Sequence, residues 1–205
     1  MATWGDTLPS REQVREKKRE ALVKQAAQEF RRRGYHATSM DDIAVALGVS
    51  KGALYRYVKS KDEVLYECFK HSERLAKAAL KEAKKLDGPA ASKLRLFIVK
   101  FVSDYLDSNL AGGAMIEIDA MLPHQRKDVV AGRDKVDAEL RKLLSAGTKD
   151  GSIRDASSKL MILALMGSIN WIPSWFRSDG EFSSHELAER MADILIDGIR
   201  SRTPG

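Results

Sequence analysis

Hydrophobic side chains recur every three or four residues along most of this chain, which is the period of a helix with one buried face. Leu22, Val23, Ala26, Ala27 and Phe30 mark a helix over 11–33, stopped at Gly34. Ile43, Ala44 and Leu47 form a short stripe that ends at Gly48, with Val49 expected to pack inward. Leu54 and Val58, four apart, give the inner face of a second short helix, 51–57. Val64, Leu65, Cys68, Phe69, Leu75, Ala76, Ala79 and Ala83 keep the period through a long helix over 61–86, roughly 39 Å in length. Leu94, Phe97, Ile98, Phe101, Val102 and Tyr105 mark the next helix, followed by a break at Ala111-Gly112-Gly113. Met115, Ile118, Met121 and Leu122 predict a short helix ending at Pro123, and Val129, Arg133, Val136, Leu140 and Leu143 another, closed within 147–151. Residues 157–172 are nearly all apolar, so burial on most sides is expected, with Pro173 stopping or kinking the helix. Leu187, Met191, Ile194, Leu195 and Gly198 share one face of the last helix. No stretch after residue 90 reads as a strand, and the fold class is all-α.

Polar residues at the starts and stops sharpen these boundaries. Thr38 and Ser39 are candidate N-caps, and Asp41 and Asp42 put negative charge in a first turn, where the helix dipole favours it. Ser50 caps the second short helix. Ser60 with Glu63, and Ser183 with Glu186, have the spacing of a capping box. Two short helices joined around Gly48 make a helix-turn-helix, whose second helix enters a DNA major groove. Its outward face carries Lys51, Gly52, Ala53, Tyr55, Arg56 and Tyr57. Lys51 and Arg56 can neutralise phosphates, the tyrosines can donate hydroxyls to them, and Gly52 and Ala53 allow close approach to base edges. A plain helical hairpin with a solvated face is the blander reading, and two exposed tyrosines beside a glycine argue against it.

The run Thr38-Ser39-Met40-Asp41-Asp42-Ile43-Ala44, then 47–58 reading LGVSKGALYRYV, then Lys61-Asp62-Glu63-Val64-Leu65, closely resembles the DNA-binding domain of the TetR family of bacterial transcriptional regulators. The likeness covers about residues 18–69. Many members carry His-Phe where this chain has Tyr57-Val58; Val58 still fills an apolar site and Tyr57 still offers a phosphate donor. The candidate DNA-binding set is Thr38, Ser39, Met40, Ser50, Lys51, Gly52, Ala53, Tyr55, Arg56, Tyr57 and Lys61. Lys61 belongs to it because a capped helix start with free N–H groups can hold a phosphate.

Charge agrees with that placement. The net charge of the 205-residue chain is +6, and residues 1–60 carry 12 Lys and Arg against 7 Asp and Glu, a balance of +5. A nucleic-acid-binding head on a nearly neutral body has this distribution. Arg11, Arg15, Lys17, Lys18 and Arg19 can form an arm on phosphates or a solvated face paired with Glu12, Glu16 and Glu20; Arg31-Arg32-Arg33 can cap the first helix or touch DNA. The single cysteine, Cys68, allows no internal disulfide. The N-terminus lacks the apolar core of a signal peptide, and residues 160–172 are too short to span a bilayer, so a cytoplasmic protein with no membrane partner is expected. The histidines, His36, His71, His124 and His185, form no catalytic or zinc spacing; Cys68 and His71 share a helix face but supply only two ligands. No enzyme, no cofactor and no metal is expected.

The chain divides into a disordered tail over 1–10, which holds Trp4, a helix-turn-helix domain over 11–60, a connecting helix over 61–86, and a ligand-binding and dimerisation domain over 87–205. Large or soft side chains in the last are candidate linings of a hydrophobic pocket: Phe97, Phe101, Tyr105, Met115, Ile118, Met121, Leu122, Met166, Trp171, Trp175 and Phe176, with Asn170, Glu117 and Asp119 as polar anchors. The resemblance implies a homodimer formed by the last two helices, a palindromic double-stranded DNA operator, and a hydrophobic small-molecule effector. Trp171, Trp175 and Ser178-Asp179-Gly180 resemble a subset of the family governing lipid or aromatic catabolism, some of which sense acyl-CoA thioesters. The expected function is a transcriptional regulator, a repressor released by its ligand; the alternative is a helical lipid- or acyl-carrier-binding protein without specific DNA binding.

Overall fold

The computed structural model describes residues 10–108 and 118–200, and among these no β-strand forms. Among the described residues eight α-helices follow in order: α1 (Arg11–Arg33), α2 (Met40–Leu47), α3 (Lys51–Leu54), α4 (Lys61–Lys85), α5 (Ala90–Asp107), α6 (Pro123–Lys149), α7 (Ser158–Trp175) and α8 (Ser184–Asp197). The expected break at 111–113 and the candidates Trp4, Met115 and Glu117 lie outside the described residues.

Two buried clusters organise the helices. The N-terminal one joins Leu22, Phe30, Ile43, Leu54, Val58 and Leu65, so α1, α2, α3 and the start of α4 close on one another. The second spans α4, α5, α6, α7 and α8 and holds Phe97, Ile98, Phe101, Leu144, Ile162 and Ile196. Helix α5 is its axis, packed along α4 on one side and α8 on the other. Helix α4 contributes Leu65 to the first cluster and Ala79 to the second. One rigid element therefore runs from head to body.

Capping fixes the boundaries. Ser10 and Gln13 bond reciprocally at the start of α1. Ser39 and Asp42 do so at α2, as Ser183 and Glu186 do at α8. Gly48 ends α2 at φ 64°, left-handed, while Gly48 N–H donates to Val45 O and Val49 N–H to Ala44 O, the paired bonds of a Schellman stop. That geometry turns Val49 outward, 42% exposed rather than inward as expected.

Three boundaries differ from the sequence reading. Helix α3 is α-helical only over Lys51–Leu54. Beyond it Arg56 N–H donates to Ala53 O and Tyr57 N–H to Leu54 O, the tighter three-residue ladder. Pro123 does not end a short helix. It begins α6, because its missing N–H costs nothing at a first helical position; Ile118–Ala120 form a single 3₁₀ turn ahead of it. Pro173 neither stops α7 nor ends it at 172, since it lies in the final turn, which runs on to Trp175.

Helix α7 also departs from all-round burial. Met161, Ile162, Leu165, Ile169 and Ile172 face the core, whereas Leu160 (66% exposed), Leu163 (60%), Trp171 (59%) and Trp175 (49%) face outward, with Gly167 between them. At the far end of the body, Ile153 is fully buried against Gly147, where any Cβ would overlap the isoleucine, and Arg154 N–H donates to Ile199 O at 2.9 Å. This closes the α6–α7 connection on the end of α8.

Candidate nucleic-acid interface and body pocket

The head presents α3 because its inner side is consumed. Leu54 and Val58 are buried, leaving Lys51, Gly52, Tyr55 and Arg56 exposed, with Ala53 and Tyr57 half-buried. The Ser50 hydroxyl accepts from Ala53 N–H at 3.2 Å, fixing the first turn. Lys51 reaches back to Asp41 on α2 at 2.8 Å, an exposed pair that holds its ammonium charged and that a phosphate could replace. Arg56 and Tyr57 form one wall of an open groove whose other wall is Arg11, Val14, Arg15 and Lys18 of α1, so four cations converge beside the outward helix. The phosphate-arm reading of α1 thus has a surface to act on, although Arg19 is spent. Its guanidinium binds Glu63 and Glu67, each at 3.0 Å, and its Nε donates to the Tyr57 carbonyl at 3.4 Å, tying α1 and the end of the α3 turn to α4.

Four members of the sequence-predicted set have internal roles. Thr38 is 1% exposed, and its hydroxyl donates to Gly34 O at 2.8 Å, so it locks the α1–α2 turn and presents no side chain to a ligand. Lys61 likewise turns inward. Its ammonium donates to Tyr35 O at 2.8 Å and Thr38 O at 3.0 Å and lies 4.2 Å from the centre of the Tyr35 ring. Beside it, the Tyr35 hydroxyl donates to Asp62 at 2.7 Å. The first two residues of α4 therefore clamp the turn that precedes α2. Met40 packs partly against the head core, and Ser39 is occupied as a cap. Arg32 and Arg33 both pair with Glu29, and Arg33 also with Asp42.

In the body a pocket opens where α4, α5, α6 and α7 diverge, with a volume of about 80 Å³. Phe69, Ala76, Phe101, Val129, Val136 and Met166 form its apolar wall; Ser72, Glu73, Arg133, Asp137 and Asn170 supply the polar groups. Of the predicted lining, Phe101, Met166 and Asn170 are there. Phe97 and Tyr105 are not. They stack on either side of Phe101, centroids 5.7 Å apart, as buried core. Met121 and Ile118 pack on the head cluster, Leu122 is exposed at the start of α6, and Phe176 packs on the outer body core facing a cleft toward α1. Trp171 and Trp175 lie on the outward face of α7; one residue's 100° rotation separates Trp171 from the pocket-lining Asn170. Asp119 pairs with Arg126 at 2.8 Å outside the pocket.

Apart from Asn170, the polar half of the pocket is absent from the predicted lining, yet it left a trace. Arg133 stands in register with Val129 and Val136 on α6, a cation in an apolar stripe, and Asp137 follows four later. Glu73 lies flat on Gly132, where a Cβ would overlap its carboxylate, and is met by Lys70 at 2.6 Å and by Lys77. Burial raises its pKa, but together these two cations outweigh that and hold the carboxyl below its ordinary value. Burial pushes the Cys68 thiol up to about 12, so this cysteine is inert core. Among the described residues no cluster of metal-ligating side chains occurs, and no helix is long and apolar enough to cross a membrane.

Residues 22–68 match the family described as bacterial regulatory proteins, tetR family, and residues 87–199 match the tetracyclin repressor-like C-terminal domain. The fatty acid metabolism regulator protein of Bacillus subtilis is 25% identical over 187 residues, spanning 88% of this chain and 95% of its own. The crystal structure of the TetR family regulator PfmR from Thermus thermophilus superposes with a TM-score of 0.76 at 30% identity, covering 86% of this chain and 97% of that one. AibR, solved with isovaleryl coenzyme A and operator DNA, shares the fold at 22% identity and a TM-score of 0.73, with 89% and 97% covered.

Proposed function

The chain belongs to the tetR family of bacterial regulatory proteins, and from that membership we propose that it acts in the cytoplasm as a homodimeric repressor, released from a palindromic operator by a small hydrophobic ligand. That it is a DNA-binding regulator and not an enzyme follows from the family itself. The finer reading is carried by one observation: the outward face of α3, with Lys51, Tyr55 and Arg56, continues into the basic groove of Arg11, Arg15 and Lys18. Phosphate contacts from such a surface position a helix in the major groove.

One such head has few base contacts, and a two-fold pair doubles them. The apolar outward face of α7, with Leu160, Leu163, Trp171 and Trp175, supports pairing of two copies, and α8 exposes a further large apolar side chain at Ile194. Gly167 in its middle allows close backbone approach. Repression is the simpler outcome, because occupying a promoter excludes polymerase without further contacts. The ligand reading is supported by the pocket and by the coenzyme A thioester bound to AibR.

The test is binding of the full chain to its own upstream DNA and to genomic fragments. Capture of one inverted repeat, protected over two half-sites about 34–36 Å apart, is expected, with in vitro transcription from that promoter falling on addition of protein. Uniform affinity for all fragments at 150 mM salt would defeat the proposal.

A further inference from the structure

We infer that the body pocket takes a short acyl chain of about three to five carbons, and that Met166 sets the upper limit of its length. This rests on the ligand-controlled reading above and narrows it. The pocket volume, about 80 Å³, is roughly half of the ~150 Å³ that accepts a six-carbon benzene ring, which points to a ligand segment of a few carbons. A fused ring system or a long chain exceeds that volume.

The floor is rigid. Phe101 is stacked between Phe97 and Tyr105, all three buried, so it has no room to swing aside. Met166 is different: it is only partly buried, and an unbranched thioether repacks at small cost. A growing chain therefore meets a fixed wall at Phe101 and a movable one at Met166.

The polar groups orient the chain. Glu73 is already met by Lys70 and Lys77, and Asp137 by Arg141 at 3.6 Å. Arg133 forms no ion pair among the described residues and is exposed beside the pocket. Its guanidinium suits an anion, while Ser72 and Asn170 can donate to a carbonyl oxygen. Two sources share this chemistry: a free short-chain carboxylic acid, whose carboxylate meets Arg133, or a coenzyme A thioester, whose carrier phosphates do.

The experiment titrates the full-length protein by calorimetry with straight and branched acyl-coenzyme A thioesters and with free acids, from two to twelve carbons. The affinity optimum is expected at four or five carbons, falling at least tenfold by ten. Met166→Ala, which removes three heavy atoms, should move the optimum two or three carbons longer, and Met166→Leu should leave it in place. Arg133→Gln should weaken the binding series about tenfold without moving the optimum. Thioesters alone binding assigns Arg133 to the carrier; free acids binding equally assigns it to the carboxylate. An optimum at ten or more carbons, a Met166→Ala optimum unmoved in a folded variant, or no binding in either series overturns the inference. Operator binding measured in parallel keeps that failure separate from failure of the regulator itself.

Discussion

Lys61 offers the sharpest test, because sequence and structure assign it opposite jobs. As a phosphate contact it would be dispensable for folding. As an internal clamp it carries two charge-assisted hydrogen bonds, at 2.8 and 3.0 Å, and a cation–π contact at 4.2 Å. Hydrogen bonds to a charged group contribute about 1.5–3 kcal/mol each, and the ring contact about 0.5–1 kcal/mol at a partly exposed site. Freeing the side chain returns up to about 2 kcal/mol of rotamer entropy. Lys61→Met, which keeps the stem over Tyr35 and removes the ammonium, should therefore cost about 2–4 kcal/mol. At 2–4 °C per kcal/mol for a chain of this size, the melting midpoint falls by roughly 5–15 °C. Operator affinity, measured well below that midpoint over a range of salt, should keep the wild-type slope of log K against log salt. A lost phosphate contact instead lowers the slope by about 0.9 per protomer. An unchanged melting midpoint together with a slope reduced by that amount would show that Lys61 faces DNA and that the clamp is immaterial.

Three further outcomes follow from the same geometry. Lys51→Ala and Arg56→Ala should each weaken operator binding and cut the salt slope by about 0.9 per protomer, while Asp41→Asn, which frees Lys51, should tighten binding; gel shifts at three salt concentrations check all of them. Leu163→Glu should yield folded monomers that bind half-sites only weakly, read by sedimentation against a dimeric wild type. His71 sits in the α1–α4 seam with Nε2 buried and without a partner, facing Arg19, Lys24 and Arg74 as well as Glu16, Glu20 and Glu67; burial first, then Arg74 and Lys24, lower its pKa below 6.5. The neutral form is the folded form, so its contribution is complete above the unfolded pKa and is lost as pH falls toward the folded one; denaturation between pH 7 and 5 should show a loss of stability that His71→Leu flattens.

Most of the helical frame was legible because caps and stripes agree. Ser39 and Gly48 bracket α2, Ser183 and Glu186 open α8, and the stripe of α1 is buried as its spacing implies. The errors share a cause. Pro123 reads as a stop and Pro173 as a stop or kink because a proline's effect depends on its place in a helix, and both lie within one turn of an end. Lys61 and Thr38 read as ligand contacts because a polar residue near an interface gives no hint of direction; only the fold reveals the Tyr35 and Thr38 carbonyls that Lys61 satisfies. Trp171 and Trp175 read as pocket lining on their size and on a family likeness. Position decides instead: the inward register of α7 runs through Ile162, Leu165, Ile169 and Ile172, and both tryptophans fall off it. On the proposed reading they report assembly rather than ligand.

On the proposed reading, the clamp also determines how a ligand in the body would move the head. Glu73, in the pocket wall, and Lys61, at the turn before α2, are twelve residues apart on α4, about 18 Å along one helix. Near the head end Asp128 of α6 accepts from Tyr66 at 2.7 Å and pairs with Lys70 at 2.9 Å, and Met121 and Val129 enter the head cluster. Helix α6 is thus fastened to α4 at the head end and rests on it again at the pocket, where Glu73 lies on Gly132. On the proposed reading, a ligand that wedges beside that contact would tilt α4 about its head-end fastening, and the grip of Lys61 and Asp62 on the α1–α2 turn would carry the tilt into the helix-turn-helix. A palindromic operator would need its two recognition helices at one fixed spacing, so release would require only that the ligand favour the tilted state over the straight one by a few kcal/mol. Loosening either end of α4 should uncouple the two sites while leaving each able to bind, which is why Lys61→Met is expected to hold its operator and to answer its ligand poorly.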